Sequence, residues 1–173
     1  AHVIAASSPT QRTLVTTLKR LGFTVVSFSG SFSTMTAIVG ERLGLHATHA
    51  NELEVADGVL TGRLVGRVVD RARKGELLVE LATQAGIPLE QTVAVGDGAN
   101  DLDMLGRAGL GIAFNAKTVL REVADAAISV PYLDVVLFLL GVGRNDVERE
   151  HLTRADPPTA SSAEGALGDQ LDR

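Results

Sequence analysis

Apolar residues along the chain fall into short runs whose period switches between the helical repeat and the buried strand. Leu14, Val15, Leu18 and Leu21 recur at helical spacing behind Pro9-Thr10, and Gly22 stands where a helix commonly stops, so a helix is expected from about Thr10 to Leu21. Phe23 to Phe28 is β-branched and aromatic and predicts a buried strand. It runs into a polar Ser29-Gly30-Ser31 loop and a further helix to about Leu43. Between Ala50 and Val65 the pattern alternates, with Leu53 and Val55 out of phase with Glu52 and Glu54, and Asp57-Gly58 suits a tight turn that needs positive φ. That segment predicts an antiparallel hairpin excursion.

The second half repeats the alternation of helix and strand. Asp70 can cap a helix with Leu77, Leu78, Leu81, Ala82 and Ala85 on one face, closed by Gly86 and Pro88. Thr92 to Val95 predicts a strand that enters Gly96-Asp97-Gly98-Ala99-Asn100-Asp101, and a helix carrying Leu102 and Leu105 follows as far as Gly109. Gly111 to Phe114 and Ala127 to Val130 predict two more strands, with helices at Val119 to Ala126 and Leu133 to Leu140. This order implies an α/β class, a Rossmann-like parallel sheet with helices on both faces. Residues 1–143 are expected to form that core, and the polar composition of 144–173 predicts a mobile tail.

Composition narrows the function. Lys+Arg 16 against Asp+Glu 21 leaves a net charge of -5, and aromatics make up 3% with no Trp, so the chain offers neither a phosphate-neutralising face nor a base-stacking platform for nucleic acid. Absence of Cys removes thiolate catalysis and Cys-type zinc sites, and is compatible with a reducing cytoplasm. The apolar stretch from Val135 to Val142 is too short to cross a bilayer, so no membrane partner is expected.

In an open parallel sheet the ligand crevice lies outside the carboxyl ends of the strands. Two polar segments are placed there. Ser29 and Gly30 offer a hydroxyl and backbone N–H groups at a helix start, suited to an anion or to simple capping. In the segment 96–101, Asp97 is placed to give Mg²⁺ a hard oxygen ligand and Gly98 to allow a tight turn. Asn100 can donate to a phosphate or substrate oxygen, and Asp101 can orient Asp97 or a metal-bound water. Lys74, in the first turn of its helix, opposes the macrodipole unless an anion faces it, and its removal is expected to be nearly neutral for folding. Arg71 and Arg73 beside it equally suit a solvated basic face. His46 and His49 lack a third ligand and read as surface residues. Gly96-x-Gly98 meets Asp101 where a dinucleotide fingerprint needs its third glycine.

Ser29-Gly30, Lys74-Gly75-Glu76-Leu77 and Gly96-Asp97-Gly98-Ala99-Asn100-Asp101, in this order, resemble the haloacid dehalogenase superfamily. Ala50-Asn51-Glu52-Leu53, Asp57-Gly58-Val59-Leu60-Thr61-Gly62 and Gly109 to Lys117 narrow the resemblance to its phosphoserine phosphatases, over roughly residues 9–143. The resemblance implies Mg²⁺-dependent hydrolysis of O-phospho-L-serine to serine and phosphate, in serine biosynthesis, through an aspartyl-phosphate. Ser29, Gly30 and Asn100 would then bind phosphate or substrate, Lys74 would neutralise charge in the catalytic step, and Asp97 would ligate Mg²⁺. The family's Asp-x-Asp-x-Thr nucleophile strand and helical cap precede the serine segment, whereas residues 1–50 contain no Asp and residues 1–8 can be at most a cap remnant. The expectation is therefore a fragment, inactive alone, with sheet edges at the strands beginning near Phe23 and Thr92 left unpaired and prone to association. A non-catalytic phosphate- or metal-binding remnant, or a phosphatase for another small phosphomonoester, are the alternatives. If Ser31 must adopt positive φ, a strain of roughly 1 kcal/mol is expected.

Overall fold

The computed structural model describes residues 9–143 and residue 145. The expected cap remnant and, residue 145 apart, the expected C-terminal tail lie outside the described residues. Helix α1 (Pro9–Arg20) buries Leu14, Val15 and Leu18. Gly22, at φ +84°, ends it, with its own N–H on Lys19 O and the Phe23 N–H on Leu18 O. Leu21 falls beyond the helix and is 44% exposed, because the turn carries it off the apolar face.

Strand β1 (Val26–Phe32) leads into α2 (Ser33–Leu43), and β2 (Ala47–Ala56) and β3 (Val59–Val65) follow. Asp57 and Gly58 both adopt positive φ and join β2 to β3 in the two-residue turn that their sequence predicts, with Ala56 opposite Val59. The hairpin is more than an excursion. Its first strand begins at Ala47 and pairs in parallel with β1, so β2 is the middle strand of a three-stranded sheet ordered β1-β2-β3.

Helix α3 (Arg71–Gln84) is capped by Asp70, whose Oδ1 accepts from the Arg73 N–H at 2.8 Å. Strand β4 (Val93–Gly96), a 3₁₀ turn (Ala99–Asp101), α4 (Leu102–Arg107) and β5 (Leu110–Phe114) continue the alternation. The chain closes with α5 (Thr118–Arg121), β6 (Ala126–Ile128) and α6 (Val135–Leu139). Strands β4, β5 and β6 form a second, wholly parallel three-stranded sheet. Helix α5 is shorter than its apolar residues suggested, since only Leu120 turns inward while Val119 and Val123 face solvent.

Strands β1 and β4 share no ladder hydrogen bonds among the described residues, as expected of two unpaired edges. They nevertheless lie between common layers. On one face Val25, Val93 and Val95 pack in a single cluster with Leu14, Leu18 and Val136, and on the other Val26, Phe28 and Ala94 pack with Leu78 and Met104. A cleft of about 270 Å³ runs along this seam, lined by Thr24, Val26 and Thr92 and by Leu81, Ala82 and Ala85 at the C-terminal end of α3. Among the described residues no helix is long and apolar enough to cross a membrane.

Candidate functional site

The serine segment belongs to β1 and is not a loop after it. Strand β1 starts at Val26 and continues through Ser29, Gly30 and Ser31 to Phe32, but its register slips there. Phe28 pairs with His49 and Phe32 with Asn51, so four steps along β1 are matched by two along β2, and the surplus residues bulge out of the ladder. Ser29 Oγ accepts from the Ser31 N–H at 3.1 Å, which closes the bulge on itself. Among described non-glycine residues only Asp57 and Asn115 have positive φ, so the condition under which Ser31 would carry left-handed strain is not met.

At the end of β4 the segment 96–101 wraps around the Asp101 carboxylate. Asp101 is 1% exposed, and its Oδ2 accepts from the backbone N–H groups of Asp97 at 3.2 Å and Gly98 at 3.3 Å. Its Oδ1 accepts from Lys74 Nζ at 2.7 Å. A Cβ on Gly96 would lie 2.5 Å from Asp101 Cβ, so the close approach of this side chain to the strand end requires glycine there. Gly98, by contrast, is extended at φ -122°, a conformation open to any residue, and the tight turn expected of it is made by the 3₁₀ hydrogen bond from the Asp101 N–H to Gly98 O. Asp97 and Asn100 are exposed at the rim.

Lys74 is 3% exposed, and its partner revises the reading made from helix position alone. The neighbouring cations are occupied elsewhere: Arg71 holds Asp103 at 2.6 Å, and Arg73 holds Glu80 and Glu76. Hydrogen bonds from Arg73 keep the Glu80 carboxyl below the usual range, and those from Arg67 and then Arg73 do the same for Glu76. Lys74 alone of these turns inward, and there it neutralises a buried carboxylate. Its removal therefore uncovers a buried charge, and the expected neutrality for folding is replaced by a structural cost.

Sequence reading gave Asn51 no role, yet it connects the serine bulge to α3. It is 7% exposed, its Nδ2 donates to Gly30 O at 2.9 Å, and its Oδ1 accepts from the Val69 N–H at 2.8 Å. The available signal was its phase, since Asn51 occupies the same alternation as the apolar Leu53 and Val55. The six singled-out residues thus form two groups. Lys74 and the Asp97 backbone N–H each bond Asp101, Asn100 lies in the same turn, and Ser29 and Gly30 join them through Asn51, Val69 and the start of α3.

Both Asp101 carboxylate oxygens are engaged, one by Lys74 and the other by two backbone amides, so this side chain holds the turn in shape. Among the described residues no group of three or more acidic or histidine side chains is arranged to hold a metal ion. The exposed Asp97 carboxylate is a hard oxygen ligand, which fits Mg²⁺ in kind, and Mg²⁺ takes one or two protein carboxylates with the rest from water and phosphate.

The chain is 58% identical over 141 residues to a phosphoserine phosphatase of Streptomyces coelicolor, covering 82% of this chain and 34% of that protein. It is 59% identical over 140 residues to a phosphoserine phosphatase of Mycobacterium tuberculosis, again covering 34% of the relative. This chain therefore spans about a third of the length of these relatives. A crystal structure of a probable phosphoserine phosphatase from Vibrio cholerae superposes with a TM-score of 0.71 at 38% identity, over 79% of this chain and 42% of that one. A phospho-aspartyl intermediate analogue of phosphoserine phosphatase superposes with a TM-score of 0.69 at 44% identity, over 74% and 61%. The haloacid dehalogenase-like hydrolase family model matches residues 2–106, a span that contains the serine bulge, the buried lysine and the Gly96 to Asp101 turn, and the chain belongs to that family.

Proposed function

We propose that this chain supplies the phosphate-binding, lysine and metal-binding elements of a phosphoserine phosphatase, which hydrolyses O-phospho-L-serine to serine and phosphate in serine biosynthesis. The observation that carries this reading is Lys74, drawn from the start of α3 onto the loop that presents Asp97 and Asn100. Identity of 58% and 59% to two phosphoserine phosphatases supports the choice of substrate.

Phosphoryl transfer needs positioning and charge neutralisation more than covalent help from its surroundings. In this reading the Ser29 hydroxyl and the Gly30 N–H donate to phosphoryl oxygens. Lys74 has three N–H donors, of which Asp101 takes one, and the other two would serve the phosphoryl group. Asn100 contacts phosphate or substrate from the rim. Asp97 would hold Mg²⁺, which supplies neutralisation of the charge on the phosphoryl oxygens. Asp101 fixes the backbone from which Asp97 projects and orients Lys74.

The covalent acceptor is the element this chain does not provide. No carboxylate occurs before Glu41, and Asp97 is placed for metal ligation, so the chain alone does not turn over phosphoserine. The test is phosphate release from phosphoserine with Mg²⁺ by the 173-residue chain, with and without a polypeptide carrying an Asp-x-Asp-x-Thr strand that can enter the seam between β1 and β4. Release only in the mixture is expected. Turnover by the chain alone, abolished in Asp97→Asn, would place the nucleophile inside it and overturn this assignment.

A further inference from the structure

We propose that Asn51 is a positioning residue that fixes the phosphate-binding bulge relative to the lysine helix, a proposal resting on the reading of Ser29 and Gly30 given above. A bulge leaves backbone groups without ladder partners, and at the exposed Gly30 the carbonyl is taken by a side chain instead of the neighbouring strand. Asn51 stands opposite Phe32, where the slipped ladder resumes, and its carboxamide reaches back to Gly30 O, inside the bulge. The same carboxamide accepts from the Val69 N–H. Val69 is 7% exposed and lies just before Asp70, the residue that caps the helix bearing Lys74.

One planar amide therefore spans the two segments on which phosphate would be held. Its donor and its acceptor are both used, so a flip of the carboxamide would lose both bonds at once. The spacing is set from a second direction as well. A Cβ added at Gly30 would just reach van der Waals contact with Val69 O, at 3.6 Å, so the bulge passes close to the lead into α3, and Asn51 sets how they are aligned. An Asp at this position keeps the shape and the acceptor but cannot donate to Gly30 O, and sets two oxygens against each other. Because that substitution also brings in a negative charge, Asn51→Ala, which removes both bonds without one, must weaken phosphate binding as well for alignment to be the cause.

The experiment titrates the 173-residue chain with inorganic phosphate and Mg²⁺, following the backbone amide resonances of Ser29 to Phe32, and compares Asn51→Asp with Asn51→Ala and the unaltered protein. Asn51→Asp should bind phosphate at least tenfold more weakly and should speed hydrogen exchange at Ser31, while α3 amides keep their protection. Asn51→Ala should in addition expose the Val69 amide to exchange. Phosphate affinity unchanged in Asn51→Asp, or affinity lost only in proportion to the unfolded fraction, would overturn the proposal. If the unaltered chain shows no phosphate-dependent shift at Ser29 to Phe32, the phosphate reading of the bulge itself falls, and the positioning role in phosphate binding falls with it. Val69 exchange would still report whether the amide clamp forms.

Discussion

The Lys74 ammonium lies 2.7 Å from Asp101 Oδ1, and the two side chains are 4% and 2% exposed. Each would be expensive to bury alone. Together they form a pair whose second carboxylate oxygen is also filled, by the amides of Asp97 and Gly98. The pair thus sets both the charge balance and the shape of the candidate site.

Breaking that pair from one side should unfold the protein more readily. Lys74→Met leaves the Asp101 carboxylate buried without its cation, a cost of about 3–5 kcal/mol. The double variant Lys74→Met with Asp101→Asn should recover some of that loss, because no net charge is left behind. Urea denaturation of the two variants checks it, and equal stability of Lys74→Met and the parent would sink the idea.

Gly96→Ala tests the strand end without adding or removing a charge. Its Cβ would arrive 2.5 Å from Asp101 Cβ, so the carboxylate must shift or the strand must move. A loss of about 1–3 kcal/mol is expected. Chemical shifts of the Asp97 and Gly98 amides should move with it, since both donate to Asp101.

Asp97→Asn should do the opposite. The side chain is exposed and engages no buried partner, so stability should change by no more than about 0.5 kcal/mol. Binding of Mg²⁺ in the presence of inorganic phosphate should weaken by roughly tenfold or more, because a neutral amide oxygen replaces an anionic ligand. Calorimetric titration with Mg²⁺ measures this, and an unchanged affinity would remove Asp97 from the metal site.

His49 should make folding sensitive to mild acid. Burial, with the Arg73 guanidinium as a second cause, lowers its pKa below the ordinary imidazole value, and Glu80 opposes the shift. Its Nε2 is buried without a hydrogen-bond partner among the described residues, and its ring meets Phe28 edge-on at 5.6 Å. As pH falls below about 6.5 the unfolded chain takes up a proton before the native protein does, so stability declines until the lowered native pKa is passed and then levels off. In His49→Phe that segment of the pH–stability curve should flatten. Denaturation midpoints at about pH 7.5 and about pH 5.5, on either side of the imidazole range, decide it.

Where residue type dictates backbone geometry, the sequence was a good guide. Asp57-Gly58, the Asp70 cap and the helix-ending Gly22 each act through a local requirement, and each appears in the structure at its expected place. The α/β class followed in the same way from the alternation of periods. What stayed hidden depends on long-range partners. Ser29-Gly30-Ser31 has the composition of a loop, and only pairing with β2 makes it a bulged strand. Lys74 looked like a cation at the wrong end of a helix until Asp101, distant in sequence, was brought to it. Asn51 was visible only as a polar residue in an apolar phase, and the two backbone groups it joins come from different elements.

The division of the strands into two separate ladders has a mechanical consequence. Within each set of three strands a load along the chain is borne by many backbone hydrogen bonds acting together. Across the seam between β1 and β4 it is borne by apolar side chains, whose contacts can separate singly and in succession. Each half should therefore resist deformation more than the seam between them does. Asn51 ties β1 and β2 to the lead into α3, and Lys74 on α3 ties that helix to the turn after β4, so slippage between the halves is opposed through α3, at the end where the candidate site lies.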